Sequence, residues 1–120
     1  ITGGLGNDTI LFNATLSATT NKDTLTDFNH TDDTIQLSKT IFTALSGITN
    51  GNAITIDQFY SAGGATKGLD SSDRIIYNTT NGNLYYDADG SGAGAAIQIA
   101  TITNFATTGV IDQSDFVVVG

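Results

Sequence analysis

A mainly β fold is predicted for this 120-residue chain by three features read together. Its apolar and β-branched runs are short and bounded by Asn, Asp, Gly and Ser, which is the pattern of strands joined by turns. The pair Asn81-Gly82 stands between two such runs, where it suits the positive φ angles of a tight hairpin. All twelve acids are Asp and none is Glu, and Asp is the acid that favours turns.

Strands are predicted over residues 9–12, 34–37, 53–56, 74–78, 83–87, 96–102 and 116–119. Short helical turns are predicted at 38–45, where Ile41, Leu45 and Ile48 have helical spacing, and at 57–62, with Asp57 as N-cap. Residues 61–72 are polar, rich in Gly and Ala and without a period, so they read as a loop. A hairpin through Asn81-Gly82 and a second through 87–94 give a three-stranded meander. A chain of this length has room for one core. The inward positions of the predicted strands assign it to Ile10, Phe12, Leu25, Phe28, Ile35, Leu37, Phe42, Ile76, Leu84, Ile97, Ile99 and Phe116.

Composition excludes several functions. The net charge is -8 with four basic residues, which argues against nucleic acid or an anionic membrane surface as partner. No apolar run approaches the roughly 20 residues of a membrane span, and no N-terminal export leader is visible. With no Cys there is neither a disulfide nor a thiolate metal site, which leaves oxygen ligands as the staple for a small core. The absence of Met is what a piece of a longer protein would show. With one His, no Cys and no H-E-x-x-H, the sequence offers no thiol nucleophile or zinc-protease helix, and the chain is read as non-catalytic.

The run Gly3-Gly4-Leu5-Gly6-Asn7-Asp8-Thr9-Ile10-Leu11 matches the nonapeptide G-G-x-G-x-D-x-U-x at every fixed position. Glycines let such a turn present successive carbonyls, Asp8 adds a carboxylate, and Ile10 points into the core. A phosphate loop would want a helix after the glycines and usually a Lys, and Thr9-Ile10-Leu11-Phe12 reads as a strand. In rolls of this kind each ion sits between neighbouring turns. One repeat therefore gives a half-site of Gly3, Gly4, Gly6 and Asp8.

With Asp23-Thr24-Leu25-Thr26-Asp27-Phe28 and Asp33-Thr34-Ile35-Gln36-Leu37-Ser38, the chain resembles the end of a repeats-in-toxin (RTX) β-roll and its C-terminal cap. Such ends occur in serralysin-type proteases and other type I secreted proteins. The resemblance implies a terminal turn of parallel β-roll over residues 1–37, then a compact cap of short antiparallel strands with one or two helical turns over 38–120. It also implies bound calcium, with Asp23 and Asp27 as further ligands, unless they belong to an Asp-rich edge strand with Asx turns. Asp32 and Asp33 are weaker candidates, and His30 reads as a solvated loop side chain. The partners it implies are upstream roll repeats and the type I secretion machinery, and the destination is extracellular.

Two later segments add candidates. Asp87, Asp89, Ser91 and Gly92 match the opening of an EF-hand loop, but the twelfth position is Gln98 and strands flank it. Asp87 and Asp89 are thus either a weak calcium site or hydrogen-bonded aspartates in a hairpin loop. The ending Asp115-Phe116-Val117-Val118-Val119-Gly120 resembles the acid-then-apolar export signal of the same family, apart from Gly120, and it also reads as a closing strand. Tyr60, Tyr77, Tyr85 and Tyr86 support a rival class, an extracellular adhesin or carbohydrate-binding module that stacks sugars on aromatic rings. By spacing, one of Tyr85 and Tyr86 belongs to the core.

Overall fold

The computed structural model describes residues 4–17, 19, 22–92, 94 and 96–120. Within them run β1 (Thr9–Phe12), β2 (Asp23–Leu25), β3 (Thr34–Ser38), β4 (Phe59–Ala62), β5 (Ile75–Asn78), β6 (Asn83–Tyr86), β7 (Ile97–Ile102) and β8 (Phe116–Val119). The fold is mainly β, as expected. One sheet has the order β1-β3-β8 and is wholly parallel. The other has the order β2-β7-β6-β5-β4; β5, β6 and β7 form the antiparallel meander, and β2 and β4 add a parallel strand at each edge.

The chain alternates between sheets at its start. From β1 it passes to β2 in the other sheet and returns as β3, which pairs with β1 so that Thr9 faces Thr34 and Phe12 faces Leu37. Strand alternation then turns Ile10, Phe12, Ile35, Leu37, Phe116 and Val118 of the first sheet toward Leu25, Ile75, Leu84, Tyr86, Ala100 and Ile102 of the second, in one apolar cluster. The two stretches 1–37 and 38–120 are interleaved in it, because β8 completes the first sheet and β2 the second.

All twelve predicted core residues are buried except Ile97, which is half-buried at the start of β7. A shift of register between Leu84 and Tyr85 adds a residue on the β7 side, so Leu84 faces Ala100 while Tyr85 faces Gln98. Ile76 is buried but apart from the main cluster, because β5 is covered on both faces. Tyr86 closes one end of the core. Its ring meets Phe42 edge-on at 4.9 Å between centroids, and its hydroxyl accepts from Ala44 N at 3.0 Å, so a buried phenol keeps a polar partner.

Several elements differ from expectation. The predicted strand at 53–56 reduces to one antiparallel bridge from Ala53 to Val117, because the chain turns at once into a 3₁₀ turn, Ile56–Gln58. That turn is capped by Thr55, not Asp57, with the Gln58 side chain accepting from Thr55 N at 2.9 Å. The expected helix over 57–62 is therefore one turn followed by β4, and that over 38–45 is one 3₁₀ turn, Thr43–Leu45. The cap is not purely antiparallel, since β4 and β8 each join a parallel neighbour. The 79–82 connection is a four-residue loop, with Gly82 N donating to Asn78 O at 2.8 Å. Gly82 has φ 80, and a Cβ there would strike the carbonyl of Ile102. Glycine is required both by conformation and by contact.

Candidate functional site

The glycine turn and the loop between β2 and β3 are brought together. Gly4 and Gly6 have φ 87 and 97, so the turn bends back on itself before β1, and Gly4 N donates to Asp27 Oδ2 at 2.7 Å. Asp33 ties the two segments from below: one of its oxygens accepts from Asp8 N at 2.9 Å, the other from Asn29 N at 2.8 Å. Asp8 O in turn accepts from Thr34 N at 2.9 Å, which sets the register of β1 on β3. The result is an open cleft of about 260 Å³ lined by Gly4, Leu5, Gly6, Asp27, Asn29 and Asp32. Asp8, which follows the glycine turn, is not among those lining residues, and among the described residues its Oδ2 is buried without a hydrogen-bond partner. A carboxylate oxygen without a partner is costly to bury.

The predicted ligands thus divide. Gly4, Gly6 and Asp27 line the cleft, Asp8 is tied to the same loop through its backbone amide, and Gly3 lies outside the described residues. Asp33 is buried and already engaged, so it positions the turn. Asp32 and Asn29, the second of which no sequence motif marks, line the cleft. Asp23 does not join them. It is exposed at the start of β2 and shares a separate cleft with Phe12 and Asn13, at the other end of β1.

Asp87 and Asp89 form a closed arrangement elsewhere. Asp87 is 1% exposed, with its oxygens accepting from Gly68 N at 3.2 Å and Asp89 N at 3.3 Å. Asp89 Oδ2 accepts from Gly94 N at 2.7 Å. Burial, with the bond to Asp89, pushes the Asp87 carboxyl above the usual aspartate range, whereas the Gly94 amide and the bond to Asp87 hold Asp89 below it. These are the hydrogen-bonded hairpin aspartates of the structural alternative.

The C-terminal residues belong to the fold. Asp112 caps a 3₁₀ turn, Gln113–Asp115, and the Asp115 side chain accepts from Asp112 N at 2.8 Å. Phe116 and Val118 are fully buried, and β8 is flanked by β3 on one side and by residues 51–54 on the other, through Gly51 N to Val118 O at 2.8 Å and Ile54 N to Phe116 O at 3.0 Å. Val117 and Val119 are half-buried on the other face. His30 is not a solvated side chain: its Nδ1 stands 2.9 Å from Asp115 Oδ2. Burial raises the Asp115 carboxyl, while the Asp112 amide and His30 work against that rise. The two residues are 85 positions apart, and nothing local in the sequence marks the pair.

Of the four tyrosines, Tyr77 and Tyr86 are buried in the core, and burial pushes the Tyr77 phenol up. Tyr60 and Tyr85 are half-exposed, with the covered Ile76 between them in register. No helix among the described residues is long and apolar enough to cross a membrane. No protein-family model, curated protein or solved structure matches the chain.

Proposed function

We propose that this chain is a calcium-binding, non-catalytic terminal domain of a secreted bacterial protein of the RTX kind, which ends a parallel β-roll and carries a type I export signal. The observation that supports it best is the cleft between the glycine turn and the 27–33 loop, together with an Asp8 oxygen that has no partner among the described residues. The passage from β1 through β2 to β3, which returns in parallel, is the path one turn of a roll would take. Asp27, Asn29, Asp32 and Asp8 offer hard oxygen donors, fewer than the roughly six to eight that calcium takes. Carbonyls of the glycine turn, water and a neighbouring turn would supply the rest.

Export through the last residues would have to precede folding, because the folded chain buries Phe116 and Val118. Calcium supplies the timing: it is scarce in the cytosol and abundant outside, so an ion that binds only the folded form orders the chain after export. The test is thermal unfolding in chelator, in millimolar calcium and in millimolar magnesium. A rise with calcium alone, diminished in Asp8→Ala, is the expected result. Three superimposed curves would remove the calcium reading and leave a domain that only caps.

A further inference from the structure

Two carboxylates and one imidazole converge where β8 begins. His30 Nδ1, one oxygen of Asp112 and one of Asp115 lie within 4.8 Å of one another. The cap accounts for the acids: Asp112 accepts from Ser114 N at 2.9 Å, and Asp115 accepts from Asp112 N at 2.8 Å. It does not account for His30, which arrives from the loop between β2 and β3 with Nδ1 at 2.9 and 3.1 Å from the two Asp115 oxygens. Asp115 is 3% exposed, and among the described residues His30 is its ion-pair partner. Two carboxylates thus meet one imidazole, with Asp115 buried and Asp112 and His30 half-buried.

A second observation is independent of the carboxylates. His30 N donates to the carbonyl of Thr108 at 3.1 Å, and Thr108 is 5% exposed with a hydroxyl that has no partner among the described residues. Beside it, a Cβ added at Gly109 would lie 3.3 Å from His30 Cδ2, so the ring lies close over this glycine.

We propose that His30, Asp112 and Asp115 form a site for a divalent cation of the zinc class, separate from the calcium cleft, which fastens the start of β8 to the loop between β2 and β3. An imidazole nitrogen with two carboxylate oxygens suits zinc and its neighbours, whereas calcium takes oxygen alone. Zinc with bonds of about 2.0–2.2 Å holds tetrahedral ligand atoms roughly 3.3–3.6 Å apart, so three atoms within 4.8 Å of one another would need only a small shift to enclose it. The coordinating imidazole nitrogen binds metal through its lone pair, so a proton carried there is released to solvent on binding, and water completes the coordination. Because Asp115 immediately precedes the fully buried Phe116, the ion would hold the C-terminal strand in place from the adjoining loop.

The experiment is calorimetric titration of the untagged 120-residue chain with zinc at neutral pH, in millimolar calcium so that the oxygen cleft is served first. His30→Gln and Asp112→Ser are titrated beside it; Ser keeps the N-cap, so the second variant is expected to fold. The expected result is one saturable site in the parent, a cobalt adduct with a tetrahedral visible spectrum, and affinity at least about tenfold weaker in each variant, with the calcium response unchanged. Absence of saturable zinc binding in the parent, or equal affinity in the parent and Asp112→Ser, overturns the proposal.

Discussion

Two parts of this chain are rich in Asp and Gly, and they finish in opposite states. Where residues 4–8 meet 27–33, the glycine turn leaves an open cleft, a buried Asp8 oxygen without a partner and two side chains, Asn29 and Asp32, on its wall. Where residues 68–73 meet 87–94, backbone amides take up the carboxylates: Asp73 accepts from Leu69 N at 2.8 Å and Asp70 N at 3.1 Å, Asp87 from Gly68 N, and Asp89 from Gly94 N. There the glycines admit main chain instead of ligand, since a Cβ on Gly68 would lie 2.7 Å from the backbone of Gly90. Composition does not separate the two regions, and backbone amides serve carboxylates in both. What differs is the open cleft of the first and its Asp8 oxygen without a partner among the described residues.

The largest expected effect tests that contrast directly. Gly90 has φ 66 and a Cβ there would run into the carbonyls of Asp70 and Ser71, so Gly90→Ala should cost more than about 3 kcal/mol in urea unfolding. Gly6 has φ 97 with nothing within 4 Å of the added atom, so Gly6→Ala should cost only the left-handed backbone, about 1–2 kcal/mol. Equal losses would mean that the two regions are packed alike.

The proposed calcium site gives the next test. At a hundred times its dissociation constant, one site adds about 2.7 kcal/mol to the folded state. Asp27→Asn keeps an acceptor for Gly4 N but loses the charge, and should remove most of that gain, while Asp89→Asn should leave it intact. The reverse outcome would place the ion in the region whose carboxylates are closed onto amides.

The smallest effect is a slope. The carboxyl of Asp87 is raised in the fold, chiefly by burial, so the folded state holds its proton more tightly than the unfolded one. The stability this gives is full below the ordinary value of 3.8 and is lost as pH rises through the raised one. Asp87→Asn removes the titration, so it should gain on the parent as pH rises through that window in urea unfolding. A constant difference would mean that Asp87 ionises as freely as a surface aspartate.

How much of the fold is legible in the sequence depends on the range of the interactions. β1, β3, β6 and β8 are legible because apolar and β-branched residues gather in short runs bounded by turn residues, and such a run is a local signal. β2 escapes that signal because three residues, Asp23, Thr24 and Leu25, carry no period, and they become a strand through pairing with β7 some 77 positions on (Asp23 with Ala100). β4 reads as helix in the sequence because Asp57 resembles a cap, while Thr55 and Gln58 form the actual one and pairing with β5 holds Phe59–Ala62 extended.

The candidate site divides the same way. The sequence by itself determined the glycine turn, since its conformation is a property of Gly4 and Gly6, and it determined which acids could serve as oxygen donors. Only the tertiary structure decided which donors meet. It placed Asp27 against Gly4, moved Asp23 to the far end of β1, closed Asp87 and Asp89 onto amides, and brought His30 to Asp115. A backbone conformation is chosen residue by residue, whereas a ligand set depends on where distant strands put their ends. That is fixed by the burial of one shared core.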